Sequence, residues 1–281
     1  MTEWSISQRR RSGKIEAASG IREPPFRSNR GLDMDIDTLL AEHGTLVFGH
    51  RGASGYAPEN TMESFGLALE QGAHGIEFDV HLTADGVPVV IHDFDVHTTT
   101  DGQGMVVDLT LEQIKSLNAA GPKWPKHAPI QVPTLDEVLS TLAGKLIFNI
   151  EVKADTENIE HRVAELVDKY GVGDAVVVSS FNPVVLHRFA AAYPKIRIGY
   201  LYMDGEPYTQ LAQMMTGVPI YARHPYHAMI DTPYMNAARQ HGYKVNTWTV
   251  NDPERARQLR DLGVDVVMTD FPDRILHALS D

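Results

Sequence analysis

Two short runs of this chain place acidic side chains at alternate positions: Gly75-Ile76-Glu77-Phe78-Asp79-Val80 and Asn149-Ile150-Glu151-Val152-Lys153. In an extended strand, residues two apart share a face, so Glu77 and Asp79 point the same way, as do Glu151 and Lys153. If the two strands are neighbours in a sheet covered on both sides, three carboxylates converge where water cannot solvate them. They repel one another unless a cation lies between them. Oxygen-only ligands suit a hard ion, Mg²⁺ or Ca²⁺, and a chain with no cysteine has no thiolate to offer a softer one. The alternative is an ion-pair network closed by Lys153 alone.

Strand ends and a hairpin bring two histidines toward the carboxylates. His50 follows the apolar run Leu46-Val47-Phe48, at the same strand end as the carboxylates. Asp85-Gly86 is a tight-turn signal between the strand of Glu77 and the apolar run Val87–Ile91. A hairpin there returns Ile91 and His92 to the level of Asp79 and Val80. A metal, two imidazoles that exchange protons near neutral pH, and two fixed cations, Arg51 and Lys153, form the inventory that in-line phosphoryl transfer needs. Gly52 and Gly55 would let the backbone approach a bound phosphate closely. Phe181, after Ser179-Ser180, is taken as a pocket wall, with core packing the alternative. His224-Pro225-Tyr226-His227 has the look of a metal cluster but lacks further ligands, and reads as a loop.

These residues need elements to position them. From Asp37 onward, runs rich in Val, Ile and aromatics alternate with helix-like segments. Strands are expected near Leu46, Ile76, Leu146, Ala175, Arg197, Ile220, Lys244 and Val264. Helices are expected over Asn60–Gln71, Leu135–Ala143, Glu157–Tyr170, Pro183–Ala192, Glu206–Met215, Thr232–His241, Pro253–Leu262 and Asp273–Leu279. Asn182-Pro183 and Asp252-Pro253 are helix starts, and Gly72, Gly144, Gly171, Gly242 and Gly263 are stops. Eight strands alternating with eight helices predict an α/β fold, a closed (βα)8 TIM barrel over 37–281, with an open doubly wound sheet as runner-up. One connection is long. Residues of about 94–133 form an insertion between the second strand and the second helix, expected to cover the barrel mouth.

Residues 1–36 lack any apolar period and carry seven basic against five acidic side chains, so they read as a disordered N-terminal tail. The whole chain of 281 residues has net charge −12, which disfavours nucleic acid as a partner but not one small phosphodiester in a cationic pocket. Its composition, 43% hydrophobic and 22% charged, is that of a soluble globular protein. No run approaches the ~20 apolar residues of a membrane span, so no stable membrane insertion is expected. No apolar run follows Arg9-Arg10-Arg11, and the cytoplasm is the expected location.

His50-Arg51-Gly52, Pro58-Glu59-Asn60-Thr61, Glu77-x-Asp79, Asp85-Gly86, His92-Asp93, Glu151-x-Lys153, Trp248-Thr249-Val250-Asn251 and Thr269-Asp270-x-Pro272, in this order, resemble the glycerophosphodiester phosphodiesterase family. The resemblance spans residues of about 45 to 280. It implies a (βα)8 barrel with a small insertion near the mouth and a divalent ion held by Glu77, Asp79 and Glu151. It also implies that His50 and His92 form the acid/base pair, that Arg51 and Lys153 contact phosphate, and that Trp248 lines the substrate pocket. The implied reaction hydrolyses glycerophosphodiesters, such as glycerophosphocholine or glycerophosphoethanolamine, to sn-glycerol 3-phosphate and an alcohol. A lysophospholipase D is the nearest alternative, with Tyr202, Tyr226, Phe181 and Trp248 forming an apolar groove. A non-catalytic phosphodiester-binding barrel is the alternative of another class, although it would be expected to lack a ligand or a histidine. His97-Thr98-Thr99-Thr100, where the family often has Asp-Arg-Thr-Thr, and the loose Gly121-Pro122-Lys123-Trp124-Pro125 are departures that bear on the leaving group.

Overall fold

The computed structural model describes residues 34–121, 123–205 and 208–280. Its strands are β1 (Leu46–His50), β2 (Gly75–Leu82), β3 (Pro88–Val90), β4 (Ile147–Val152), β5 (Val176–Ser180), β6 (Arg197–Tyr202), β7 (Ala222–Pro225), β8 (Lys244–Thr247) and β9 (Val266–Thr269). All but β3 pair in parallel, in the order β1-β9-β8-β7-β6-β5-β4-β2, and β1 pairs again with β2 to close the ring. A helix follows each parallel strand: α2 (Met62–Glu70), α4 (Leu135–Leu142), α5 (Ile159–Tyr170), α6 (Pro183–Ala192), α7 (Tyr208–Met214), α8 (Thr232–His241), α9 (Pro253–Leu262) and α10 (Pro272–Ser280). The closed (βα)8 barrel is therefore the architecture, and the open sheet is excluded.

Helix ends follow local side-chain chemistry. Asn182, Asp231 and Asp252 each accept a hydrogen bond from a first-turn amide, with proline inside the first turn. Gly171, Gly242 and Gly263 end α5, α8 and α9 in the left-handed region. Thr61, Thr134 and, in the insertion, Thr110 build reciprocal capping boxes.

The hairpin forms at Asp85-Gly86, where Gly86 has φ of 76°. Its register differs from expectation by one residue at the far end. Val80 faces Val90, and the Ile91 N–H donates to the Asp79 carbonyl at 3.0 Å, so Ile91 alone returns to the level of Asp79. Past it, the insertion carries a short helix, α3 (Leu111–Lys115), and buries Val89, Ile91, Val96, Val106, Ile114, Ala119 and Val132 in a core of its own. The long connection is thus an ordered cover with its own apolar anchor.

The remaining helix, α1 (Ile36–His43), begins inside the segment assigned to the tail. Ile36 is fully buried, Asp35 caps the helix, and Arg197 reaches both Asp35 and Asp37 at 3.0 Å. Residues 34–36 therefore belong to the barrel, while the tail assignment for 1–33 lies outside the described residues. One short helix that buries only Ile36 and Leu40 leaves too little periodicity to be read from sequence. Ile36→Ala should lower unfolding stability by about 2–5 kcal/mol, the usual cost of emptying a buried isoleucine site, measured as a shifted urea midpoint at unchanged slope.

Candidate active site

The carboxyl ends of the strands bring the chemistry together. Glu77 and Asp79 lie on β2, Glu151 lies beside Asp79 on β4, and His50 ends β1. One carboxylate oxygen from each of Glu77, Asp79 and Glu151 falls within 4.8 Å of the others, and all three residues are buried. Two cations are set into this cluster. Lys153 Nζ lies 2.6 Å from Glu151 Oε1 and 3.5 Å from Asp79 Oδ1, and Arg51 Nε lies 3.4 Å from Asp79 Oδ2. Arg51 is shared with Glu59, whose Oε1 accepts from NH1 at 2.7 Å.

The ionisation balance is uneven. Burial pushes Glu77 well above the usual carboxylate range, reinforced by Asp79 and Glu151. Burial likewise raises Glu151 to about 7, even against the pull of Lys153. At Asp79 burial is overcome by Lys153 and Arg51, which hold it below its ordinary value. Even with Lys123 on Glu59, three side-chain cations do not neutralise Glu59 and three buried carboxylates, and Asp79 Oδ1 accepts no hydrogen bond. A set of hard oxygen donors short of positive charge is what a divalent ion fits, so Glu77, Asp79 and Glu151 could hold one. In the ion-pair alternative built on Lys153, the Glu77 pKa stays raised by burial despite the Arg51 amide and the nearby Lys153.

A cavity of about 110 Å³ opens above this cluster. Its walls include His50, Arg51, Glu77, His92, Glu151, Lys153, Phe181, Leu201, Trp248 and Thr249. All nine residues singled out for the site therefore gather here, Asp79 lying beneath the wall. Phe181 lines the cavity and meets Trp248 edge to face at 5.5 Å. A second cavity of about 320 Å³ lies outward of His50 and Arg51, bounded by Ser54, Glu59, Lys123, Trp124 and Asp270. His50 and Arg51 line both.

Several supporting contacts were not legible in the sequence. Asn60, in the left-handed region at φ 57°, donates from Nδ2 to Asp79 Oδ2 at 2.8 Å and accepts from the Asp79 N–H at 3.3 Å. Arg51 is also left-handed, at φ 55°, which turns its N–H to Glu77 Oε2 at 3.1 Å. Lys123 of the insertion reaches Glu59 Oε2 at 2.8 Å and latches the cover to the barrel. His81, next after Glu77 and Asp79 on their face of β2, is buried and donates from Nε2 to the His92 carbonyl at 3.2 Å. An E-x-D-x-H alternation was the available signal for His81.

Gly52 and Gly55 have a packing role besides the one expected of them, and the expectations for His224 and Tyr202 need correction. The missing Cβ of Gly52 would strike Ser64 within 2.5–2.7 Å, and that of Gly55 would meet the Phe271 ring at 2.2 Å. Helix and ring packing thus require these glycines, whatever phosphate does. His224 is on β7, not in a loop. It is buried in the barrel interior, its pKa pushed down to about 3 by burial, and its Nε2 accepts from Asn246 Nδ2 at 3.1 Å. Tyr202 alternates with the cavity residue Leu201, faces the helices, and hydrogen-bonds to Tyr234 on α8, so it lines no groove at the site. If charge repulsion dominates the cluster, Glu77→Gln should raise the melting temperature of metal-free protein and abolish the increase that a divalent ion produces in the parent.

Residues 50–274 match the profile of the glycerophosphoryl diester phosphodiesterase family. The chain is 38% identical over 239 residues to a glycerophosphodiester phosphodiesterase of Caldanaerobacter subterraneus subsp. tengcongensis, covering 83% of this chain and 97% of that one. A glycerophosphodiester phosphodiesterase of Bacillus altitudinis is 35% identical over 237 residues, covering 82% and 96%. Among solved structures, an Oleispira antarctica phosphodiesterase in complex with the product sn-glycerol-3-phosphate superimposes with a TM-score of 0.74 at 30% identity, over 84% of this chain and 97% of that one. With the barrel, the acidic cluster and the ordered motifs in agreement, the chain belongs to the glycerophosphoryl diester phosphodiesterase family.

Proposed function

We propose that the protein is a divalent-metal-dependent phosphodiesterase that cleaves glycerophosphodiesters, such as glycerophosphocholine or glycerophosphoethanolamine, to sn-glycerol 3-phosphate and an alcohol. The observation that carries this reading is the convergence on one cavity of three buried carboxylates, two imidazoles and two cations. Relatives named for the same activity and the product-bound Oleispira antarctica structure support it.

In this reading Glu77, Asp79 and Glu151 would hold the divalent ion, which would supply Lewis-acid stabilisation of phosphoryl charge. Mg²⁺ is favoured over Ca²⁺, because a set of only three carboxylate residues suits the ion that needs fewer protein ligands. Arg51 and Lys153, both held cationic by the surrounding carboxylates, stabilise the charge that grows on the phosphoryl oxygens. His50 and His92 form the acid/base pair, one taking a proton from the nucleophile and the other giving one to the departing alkoxide. Burial lowers the pKa of His92, which keeps it neutral and able to accept a proton. Phe181 and Trp248 present ring faces and edges to the carbon skeleton of the substrate. The lysophospholipase D alternative loses Tyr202 from its groove, and the inner cavity has only about 110 Å³ for an acyl chain.

Chelation should abolish turnover of glycerophosphocholine, with added Mg²⁺ or Ca²⁺ restoring it; full activity in excess chelator would remove the metal from the reading. His50→Ala and His92→Ala should each lower kcat by about 10²- to 10⁴-fold with little change in KM. With a p-nitrophenyl ester, whose leaving group departs without a proton, the variant lacking the acid should recover and the one lacking the base should not. Near-parental rates for both variants on natural diesters would make the histidines structural.

A further inference from the structure

The two proposed proton carriers are held very differently. His92 Nδ1 lies 2.9 Å from Oδ1 of Asp93, its neighbour in sequence, and both side chains are 28% exposed. His50 Nδ1 lies 2.7 Å from Oδ1 of Asp270, which comes from the far end of the chain, just past β9. Asp270 is the centre of a built polar nest. Asn251 Nδ2 donates to its Oδ2 at 2.6 Å, and the Ser54 hydroxyl lies 2.9 Å from its Oδ1. Its own N–H donates to Asn251 Oδ1 at 3.0 Å, and its carbonyl accepts from the Gly55 N–H at 2.9 Å. Thr269 Oγ1 donates to the same Asn251 oxygen at 3.0 Å, which fixes the amide orientation.

We infer that Asp270 is the positioning residue of the site: its carboxylate fixes the His50 ring and its tautomer, so that Nδ1 carries the proton and Nε2 faces the cavities as an acceptor. The argument is one of donors and acceptors. An ionised carboxylate can only accept, so the nitrogen it touches must donate. Burial opposes its ionisation, but His50, Asn251 and Ser54 hold the Asp270 pKa down at about 2, so it is a carboxylate throughout the neutral range. His50 lines both the inner cavity of the acidic cluster and the outer cavity, so the orientation of one ring governs proton traffic at their shared wall. When Nε2 takes a proton, the adjacent carboxylate stabilises the imidazolium. This inference rests on the phosphodiesterase reading for its kinetic consequence only; the tautomer is a property of the protein alone.

The test is Asp270→Asn, which preserves volume and most of the nest but offers an amide that can donate to Nδ1 and so drive the proton to Nε2. Long-range ¹H–¹⁵N spectra of the histidine rings should show His50 as the Nδ1–H tautomer in the parent and as Nε2–H, or a mixture, in the variant. On glycerophosphocholine with Mg²⁺, kcat should fall by about 10²- to 10⁴-fold while KM stays within about twofold, as expected when an orienting carboxylate is lost. Asp93→Asn should cost much less. An unchanged His50 tautomer in folded Asp270→Asn would overturn the inference, as would a kcat within threefold of the parent. If the parent itself turns over no glycerophosphodiester, the functional reading fails, and the spectra still decide the role of Asp270.

Discussion

The structure turns on the repulsion between three carboxylates that the barrel buries side by side. Glu77, Asp79 and Glu151 sit where the sheet is covered by helices on its outer face and packed with side chains within, so water does not screen them. Left alone, such a cluster would protonate or open. Arg51 and Lys153 relieve part of the charge, and Asn60 and the Arg51 amide satisfy particular oxygens. The deficit that remains is most visible at Glu77 and Glu151, whose carboxyls are pushed up by burial and by the charge of Asp79. A site that is electrostatically incomplete in the protein alone is prepared for a cation, at a cost in stability that the rest of the fold must bear.

Much of the surrounding structure can be understood as bracing for that cluster. The left-handed residues Arg51 and Asn60 flank a loop whose glycines let α2 and the Phe271 ring close on it. Strain of this kind persists because Ser64, Glu59 and Asp79 over-determine the backbone with hydrogen bonds and an ion pair. The insertion is tied to the same loop through Lys123 and Glu59. Arg51, Glu59 and Lys123 therefore form a line of charge from the cover to the carboxylates.

The barrel interior beneath the cavity is also polar. His224 is neutral there and pairs with Asn246, while Asn149 Nδ2 donates to Ser179 Oγ at 2.9 Å. The His224 carbonyl accepts the Trp248 indole N–H at 3.0 Å, so this layer also orients a wall of the site. His224 has the look of a ligand in the sequence and serves the interior hydrogen-bond network in the structure. Gly199 leaves the space that the His224 ring fills, an arrangement that no local pattern announces.

Periodicity and short-range chemistry determined the barrel, its closure count and most helix boundaries, because α/β alternation, caps and stop glycines act within a few residues of one another. The alternation of Glu77 with Asp79 and of Glu151 with Lys153 likewise determined which side chains share a face, a consequence of strand geometry alone. What only the tertiary structure decided are the contacts between residues distant in the chain. Asp270 meets His50 across the adjacent strands β1 and β9, 220 positions away, and nothing near either residue encodes that distance. Asn60 was legible as a helix start, but its side chain turns to Asp79, because a left-handed backbone aims it at β2. Tyr202 was legible as an aromatic at a strand end, yet the pleat of β6 sends it outward to Tyr234 and gives the cavity to Leu201. Local sequence sets the periodicity and the residue types; the register of the closed sheet decides which of them meet.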